Sequence, residues 1–311
     1  MKTLLRKKLW AMMIILMIMC GYIIWENNRI VVVEESIPIR ELPKDLEGFT
    51  IVQITDLHEK VFGKEQSKLI NMINSINYDA IVFTGDMLVS PESNNYAPFY
   101  TLIEGIRKKN IAYFVPGNTD PQSFIIGEKE VYERDRFIKG MEERGIKLLD
   151  TIEKVKVGSS NLYFTYFENS IALLEQSEQD KKLDPYIERL LMLEQYFDSE
   201  VLIALNHYPI PDDRIDLLKE EERLWAYDLL IAGHYHGGQI RLPFIGAVFI
   251  PEPYYLWDGF FPPQDRVKGL WNYNGIQQYV STGLGSSDAI SFLNFRFYNP
   301  PEVNVLTLKK K

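Results

Sequence analysis

Seven polar side chains of the kinds that bind metals lie just beyond short apolar runs of this sequence. They are Asp56, His58, Asp86, Asn118, His207, His234 and His236, and they include all 4 histidines of the 311-residue chain. Carboxylates, imidazoles and an amide oxygen form a mixed oxygen and nitrogen set that suits borderline first-row metal ions. Two divalent ions about 3.5–4 Å apart need a bridging carboxylate, neutral imidazoles and an open edge for substrate and water. The set therefore predicts a site for two divalent metal ions, with Mn, Fe or Zn as candidates.

A pair of divalent ions is suited to phosphoryl chemistry. It lowers the pKa of a bridging water, holds a phosphoryl oxygen and neutralises the charge that develops during an in-line displacement. Phosphate esters are among the slowest compounds to hydrolyse without a catalyst, so they require strong charge stabilisation. The seven residues therefore favour a phosphoester as the substrate.

Short apolar runs that alternate with amphipathic stretches must position these side chains. Residues 49–55, 80–85 and 111–117 have the pattern of buried strands bounded by turn signals. The stretches "KEQSKLINMINSI" and "FYTLIEGIRKK" between them have helical spacing of apolar residues. This alternation predicts βαβ units in a largely parallel sheet. Because the carboxyl ends of parallel strands open onto one crevice, we expect the seven side chains to converge there.

The later part of the chain repeats the buried-strand pattern. The runs "EVLIALNHYP" and "YDLLIAGHYHGG" carry three of the histidines. Elsewhere, "KVKVG" and "NLYFTYF" predict a hairpin, and residues 185–197 predict a helix. The runs "IQQYVSTGLG" and "EVNVLTL" predict two closing strands.

The first residues predict a membrane anchor. Residues 1–8 form a basic tail, expected to be cytoplasmic, and residues 9–25 then run without a charged side chain. That length is at the short end for a span, and no small-residue cleavage site follows, so we expect an uncleaved transmembrane helix. Basic residues before the span and acidic residues after it predict an extracytoplasmic catalytic part at the cell membrane. Residues 26–45 are expected to be a linker, and a buried core helix is the alternative for residues 9–25.

The composition limits the classes of partner. The chain is 46% hydrophobic and has a formal net charge of -9, with no long basic run after the first ten residues. Such a chain is not expected to bind the phosphate backbone of nucleic acid through counterion release. Nucleic acid is therefore an unfavoured partner. A metal-dependent nuclease stays open because metal ions would supply the positive charge.

The order of the short motifs around the polar residues resembles the calcineurin-like metallophosphoesterase superfamily. The motifs are "DLH", "GD", "GN", "NH" and "GHYH". The later "STGLGSS" and "NFRFYNPPEVNVLTL" are similar to the membrane-anchored or exported bacterial branch of that superfamily. The resemblance extends over residues 46–311. It implies an α/β fold, a four-layer αββα sandwich of two mixed sheets, which follows the transmembrane helix.

The resemblance also implies roles for the ligands. By motif position, Asp56, His58, Asp86 and His236 would hold the first metal ion, and Asp86, Asn118, His207 and His234 the second. Asp86 would bridge the two ions. A hydroxide bridging the metals would then attack phosphorus without a covalent enzyme intermediate.

Three positions depart from the family pattern. The family's "GNH" followed by an acid is here "GNTD", so the histidine that resembles a general acid is replaced by Thr119. Val89 stands where an acid is common, and Tyr235 where threonine is common. Thr119 cannot usefully protonate an alkoxide at neutral pH, whereas a placed general acid contributes about 10²–10⁴-fold. Either the leaving group is already acidic, as in a pyrophosphate, or another group donates the proton, with Asp120 and Tyr235 as candidates.

Residues 241–263 are dense in aromatic residues and proline and have two interpretations. One is a packed loop that braces the sandwich. The other is a hydrophobic lip near the bilayer that admits a lipid-linked phosphoester. Arg241 and Arg296 are candidate substrate-binding residues because a guanidinium can bind phosphate bidentately, although each has the alternative of an ordinary surface arginine.

The sequence thus predicts a membrane-anchored, two-metal phosphoesterase that acts on phosphodiester or pyrophosphate bonds of lipid-linked or nucleotide substrates. Asp86 and Asn118 are its expected catalytic residues, with Asp120 as a further candidate. A non-catalytic metal-binding surface protein and a metal-dependent nuclease are the alternatives.

Overall fold

The computed structural model describes residues 2–126, 132–175, 201–251, 259–287 and 293–311. The helix expected over residues 185–197 lies outside these described residues. The α-helices are α1 (Lys2–Asn28), α2 (Ser67–Ser75), α3 (Ala97–Gly105), α4 (Arg136–Glu143), α5 (Phe167–Glu175) and α6 (Asp212–Glu220). The first seven described strands in chain order are β1 (Val31–Ile39), β2 (Thr50–Ile54), β3 (Ala80–Thr84), β4 (Ala112–Val115), β5 (Phe124–Ile126), β6 (Tyr132–Arg134) and β7 (Lys147–Leu148).

The later strands complete the architecture. They are β8 (Glu153–Val157), β9 (Ser160–Tyr166), β10 (Val201–Leu205), β11 (Leu229–Ala232), β12 (Arg241–Leu242), β13 (Gly246–Ala247), β14 (Gly269–Tyr273), β15 (Ile276–Val280) and β16 (Glu302–Lys310). The first sheet has the order β1-β16-β2-β3-β4-β7, and the second has the order β14-β15-β11-β10-β9-β8. The pairs β5-β6 and β12-β13 form two small antiparallel ribbons.

Both large sheets are mixed, with a parallel centre. In the first sheet, β2, β3, β4 and β7 run parallel and β16 pairs with β2 in the opposite direction. In the second sheet, β9, β10, β11 and β15 run parallel, and the hairpin expected between β8 and β9 is confirmed at one edge. The parallel centres bring the carboxyl ends of their strands to one edge of each sheet.

The sheets pack face to face with helices on their outer faces. Along β3, Ala80 and Val82 lie in the core between the sheets, whereas Ile81 and Phe83 lie in the core beneath α2, α3 and α4. A strand buried on both faces must be apolar at every position, which explains the unbroken run "AIVFT". A third core joins the outer face of the second sheet to α5 and α6. The implied four-layer αββα sandwich is therefore confirmed.

Residues 26–45 differ from the linker expected there. α1 continues to Asn28, and β1 pairs in parallel with β16 along its whole length. Ile37 and Ile39 of β1 are buried in the core between the sheets. Because β1 is an edge strand, it can carry the charged Glu34 and Glu35. These charges interrupt the apolar pattern by which a strand is predicted from sequence.

α1 is long and apolar enough to cross a membrane. It extends from the sandwich with its apolar side chains exposed, since its most apolar window is only 6% buried. This exposure excludes the alternative of a buried core helix. Within the described residues, its last turns contact the sandwich, where the ring of Tyr22 lies 5.5 Å from that of Phe297 and 5.4 Å from that of Tyr298.

Candidate dinuclear metal centre

The seven predicted ligands lie just beyond the carboxyl ends of five parallel strands. Asp56 and His58 follow β2, Asp86 follows β3 and Asn118 follows β4 in the first sheet. His207 follows β10, and His234 and His236 follow β11, in the second sheet. The site therefore lies at the seam between the two sheets, and neither sheet alone could build it.

The side chains form two neighbouring groups. The first is Asp56, His58 and His236, and the second is Asp86, His207 and His234; in each group the ligand atoms lie within 4.8 Å of one another. In the first group, His236 Nε2 lies 3.6 Å from Asp56 Oδ1. In the second, His207 Nε2 lies 3.0 Å from His234 Nδ1 and 3.0 Å from Asn118 Oδ1. Each group has the donor atoms to hold one divalent ion.

The carboxylate of Asp86 lies between the two groups. Its Oδ2 is 3.5 Å from His58 Nε2 in the first group and 3.3 Å from His207 Nε2 in the second. A carboxylate in this position can bind both ions at once, which is the bridge that a dinuclear centre requires.

Buried atoms without hydrogen-bond partners show that the residues fit metal ions. Asp56 Oδ1 and His58 Nε2 are shielded from solvent and accept or donate no hydrogen bond. Native structures rarely leave such atoms unsatisfied, so each needs an explanation. Divalent cations among these atoms would satisfy them.

The second oxygen of each carboxylate is held by the protein. Asp56 Oδ2 accepts hydrogen bonds from Thr55 Oγ1 (2.8 Å) and from the His234 amide (3.2 Å). Asp86 Oδ1 accepts one from the Thr119 amide (2.9 Å). Such outer contacts orient a metal ligand. They leave Asp56 Oδ1 and Asp86 Oδ2 directed at the candidate ion positions.

The tautomer of His207 follows from its neighbour. Its Nδ1 lies 2.8 Å from the carbonyl oxygen of Thr84, which can only accept, so Nδ1 carries a hydrogen and Nε2 is the ligand atom. Burial lowers the pKa of His207, but the Asp86 carboxylate outweighs burial and raises this pKa to about 9. A metal ion at Nε2 would replace that proton.

Burial favours the neutral form of the two other buried histidines. Burial holds the pKa values of His234 and His236 well below the usual range, and positive neighbours lower both further. Burial opposes ionisation of Asp86, yet His207 and His58 lower its pKa below the usual carboxyl range. Neutral imidazoles at His234 and His236 and an ionised Asp86 carboxylate suit metal binding, and His207 would lose its proton to an ion.

Strained backbone accompanies the ligands. Asp56, His58, Asp86, His234 and His236 have φ angles of 52°, 45°, 58°, 67° and 49°. Side chains other than glycine rarely adopt this left-handed region, and such strain clusters at functional sites. The left-handed backbone directs these side chains toward the same site. The sequence does not predict these φ angles.

The glycines of the short motifs allow the strand ends to approach. A Cβ atom on Gly117 would collide with the carboxylate of Asp86, and one on Gly233 would lie 2.6 Å from Asp56 Oδ2. Any larger residue at either position would displace a metal ligand. This is the physical reason for "GN" and "GH" in the sequence.

Asp120 braces the site. Its carboxylate accepts hydrogen bonds from the amides of Asp86 (2.7 Å), Met87 (2.9 Å) and Gly117 (2.9 Å). Burial and the nearby Asp86 raise the pKa of Asp120 to about 6. Both oxygens are engaged with backbone, which differs from the expectation of a proton donor to the leaving group. Its contacts instead join the loop after β3 to the loop after β4.

The other candidate donors are also engaged or buried. The hydroxyl of Thr119 donates to the carbonyl oxygen of Leu88 (2.8 Å). Tyr235 is fully buried in the core on the outer face of the second sheet. Neither has the position of a general acid at the open edge of the site.

Of the two candidate phosphate-binding arginines, Arg296 lies elsewhere than expected and Arg241 stays a candidate. Arg296 is fully buried and donates to the carbonyl oxygens of Gly285 and Thr282, both at 2.6 Å. This burial corrects both interpretations of Arg296, substrate binding and an ordinary surface arginine, because its guanidinium is bonded to the backbone of the loop after β15. Arg241 is partly buried and donates to the carbonyl oxygen of Gly237 (2.8 Å), just beyond the ligand His236.

Sequence reasoning missed Lys60, which lies beside His58 in a cleft next to the site. Its ammonium group lies 3.5 Å from the carbonyl oxygen of Leu284. Burial and the positive charge of Arg296 lower the pKa of Lys60 to about 7. Its position two residues after His58 was the available signal.

The described part of residues 241–263 exposes apolar side chains. Phe244 at the tip of the β12-β13 ribbon is fully exposed, and Leu242, Ile245, Phe260 and Phe261 are exposed with it. Residues 252–258 lie outside the described residues. Exposed aromatic rings favour the lip over the packed loop, because a packed loop would bury them.

Comparison with known proteins agrees with this geometry. A family model described as calcineurin-like phosphoesterase matches residues 49–238, which is more than half of the chain. The chain therefore belongs to the calcineurin-like phosphoesterase family. Its homologues are phosphoric ester hydrolases that use divalent metals, and the predicted enzyme class is confirmed.

Three relatives span different shares of the chain. It is 26% identical to the metallophosphoesterase YkuE of Bacillus subtilis over 91% of this chain and 87% of that protein. It is 22% identical to the UDP-2,3-diacylglucosamine pyrophosphatase LpxG of Chlamydia muridarum over 85% of this chain and 86% of that protein. It is 33% identical to the phosphodiesterase YaeI of Escherichia coli over 34% of this chain and 32% of that protein.

Proposed function

We propose that this protein is a membrane-anchored, two-metal phosphoesterase that hydrolyses phosphodiester or pyrophosphate bonds. The observation that carries the proposal is the Asp86 carboxylate, whose Oδ2 lies between His58 and His207 at 3.5 and 3.3 Å. When bound, two divalent ions would activate the attacking water and neutralise charge on the phosphoryl group. Mn, Fe and Zn suit the oxygen and nitrogen ligands.

The residues of the chain have separate tasks in this reaction. Asp56, Asp86 and the four histidines would hold the ions, with the Asp86 carboxylate between the two groups of ligands. Asn118 is exposed at the open edge, with its Oδ1 near His207, so it can contact both an ion and the substrate. Asp120 holds the loops that carry Asp86 and Asn118 in register.

The leaving group is expected to be acidic. Thr119 and Asp120, which occupy the positions of the family's histidine and acid, are both bonded to backbone. A phosphate leaving group needs little protonation, so a pyrophosphate bond suits this site better than an alkyl ester. The pyrophosphatase LpxG among the relatives supports this class of substrate.

The location of the site follows from α1. The helix is long enough to span a bilayer, and basic residues precede its apolar stretch. Together with the positive-inside rule, these basic residues support the proposal that the N-terminus is cytoplasmic and the sandwich lies outside the cytoplasm. Attachment at the surface of the cell membrane favours a substrate that resides in the bilayer, such as a lipid-linked phosphoester.

A substrate panel tests the proposal. The full chain, purified in detergent with Mn or Zn, should hydrolyse bis(p-nitrophenyl) phosphate and pyrophosphate diesters, and the activity should disappear with a chelator. Asp86→Asn should remove this activity, and Asp216→Asn is its matched control because Asp216 lies on α6 and is bonded to Tyr273 and Asn274 rather than to the candidate ligands. Absence of metal-dependent turnover on every compound would favour the non-catalytic alternative, and preferential cleavage of single-stranded nucleic acid would favour the nuclease.

A further inference from the structure

A cleft of about 420 Å³ separates the last turns of α1 from the metal centre. Ile23, Ile24, Asn27 and Asn28 line it on the side of the helix, and the ligand His58 and the neighbouring Lys60 line it on the side of the site. The helix expected to serve as an anchor is therefore also a wall of the cavity that adjoins the candidate metal ions.

Specific contacts fix the position of this wall. Asn27 Oδ1 accepts a hydrogen bond from the backbone amide of Arg296 (2.8 Å), and Asn27 Nδ2 donates to the carbonyl oxygen of the same residue (2.9 Å). The ring of Tyr22 packs edge-on against Phe297. Because α1 then leads into β1, which pairs with β16 in the first sheet, the chain that follows the helix is also attached to the sandwich.

With α1 as a membrane span, the cleft would lie at the depth of lipid head groups. The apolar residues 9–25 would rise roughly 26 Å as a helix, close to the roughly 30 Å of a hydrocarbon core. Ile23 and Ile24 lie at the end of that stretch, and Asn27 and Asn28 lie beyond it. The cavity therefore begins at the hydrocarbon boundary and continues through the layer where lipid phosphates lie.

The lining changes from apolar to cationic along the same direction. Ile23 and Ile24 offer apolar surface, Asn28 offers an amide, and Lys60 offers an ammonium group beside His58. The Lys60 ammonium lies 5.1 Å from the centre of the Phe62 ring, which supports it on one side. An amphipathic anion fits this sequence, with its lipid part at the helix and its phosphate at Lys60 and the metal centre.

We propose that the cleft is the binding subsite for a membrane lipid that carries the scissile phosphoester or pyrophosphate, and that α1 forms part of this subsite. The inference rests on the proposed hydrolase activity. It assigns the helix a second role, because the helix selects lipid-linked substrates as well as holding the enzyme at the bilayer.

Two substrates that share the same reacting group, one with and one without a lipid part, test the inference. The full chain in detergent micelles is assayed with a diacylglycerol-linked nucleoside diphosphate and with the same compound lacking the acyl chains. Ile24→Trp fills the cleft, and Ile18→Trp is the matched control, since Ile18 is equally exposed on α1 (67% against 66%) but does not line the cavity. Metal content and melting temperature confirm that both variants fold.

We expect Ile24→Trp to lower the ratio of kcat/KM for the lipid-linked compound to that for the chain-free compound about tenfold, through KM. Ile18→Trp should leave the ratio unchanged. In a binding assay, a non-hydrolysable phosphonate of the lipid should raise the melting temperature of the wild type more than that of Ile24→Trp. An unchanged ratio, or an equal loss with both compounds, overturns the subsite, whereas no turnover of either compound by the wild type overturns the hydrolase activity itself.

Discussion

Asp86 Oδ2 lies 3.3 Å from His207 Nε2, although the two residues follow strands of different sheets. β3 carries Asp86 in the first sheet and β10 carries His207 in the second. The contact joins the two halves of the sandwich at their carboxyl edges. Formation of the metal centre and packing of the sheets are therefore coupled.

Metal removal should destabilise the fold because of this coupling. Without cations, the carboxylates of Asp56 and Asp86 are buried without a compensating positive ion. A buried carboxylate that is not neutralised lowers the stability of the folded state. An ion present at 1,000 times its dissociation constant stabilises the folded state by about 4 kcal/mol. We expect chelation to lower the melting temperature of the full chain by several degrees and Mn or Zn to restore it. An unchanged melting temperature would mean that the groups do not bind metal tightly.

Substitution of Asp120 should act through position and stability. Asp120→Asn replaces one accepting oxygen by an amide that faces backbone N–H donors. Loss of these charged hydrogen bonds should cost about 2–3 kcal/mol of unfolding free energy. Denaturant titration measures the loss, with Asp216→Asn as the control. A variant with wild-type stability but no turnover would instead restore Asp120 as a catalytic residue.

The rate should depend steeply on the leaving group. Because the Thr119 hydroxyl is bonded to Leu88, no donor at this position assists departure. A series of diesters with phenols of rising pKa should give falling kcat/KM. Thr119→His should flatten the series and raise the rate for the least acidic phenols by up to about 10²-fold. A flat series in the wild type would reveal a proton donor elsewhere in the site.

Lys60 should distinguish substrates by their number of phosphates. Its ammonium group lies in the cleft beside His58 and can contact a phosphate that does not react. Lys60→Gln should lower kcat/KM about tenfold for a pyrophosphate diester, because a charge-assisted hydrogen bond contributes about 1.5–3 kcal/mol. The effect on a diester with a single phosphate should be smaller. Equal losses on both would show that Lys60 serves the metal centre rather than a second phosphate.

The ligands could be predicted from the sequence because their positions follow from topology. Each lies beyond an apolar run, and parallel strands bring such positions to one edge regardless of separation along the chain. The layers of the sandwich follow from the runs that are apolar at every position, such as β3. The presence of a second sheet and the assignment of the candidate ligands to two ions were predicted from the family resemblance.

Other features depend on contacts that no local pattern records. β1 was missed because Glu34 and Glu35 resemble the flank of a membrane span, and only pairing with β16 shows that the segment is an edge strand. Arg296 was a candidate for substrate binding because a guanidinium can bind phosphate, yet the side chain is buried and donates to two backbone carbonyl oxygens. The cleft at the end of α1 joins residues from both ends of the chain, so only the folded structure shows it.

Metal content and turnover of Asp86→Asn, measured on one preparation, test the two-metal centre most directly. The amide cannot supply a bridging negative charge to both ions, so the variant should hold one divalent ion or fewer where the wild type holds two. Its turnover of bis(p-nitrophenyl) phosphate should fall at least about 10³-fold, with melting behaviour that shows a folded chain. A folded Asp86→Asn variant that retains two ions and near wild-type turnover would contradict the account.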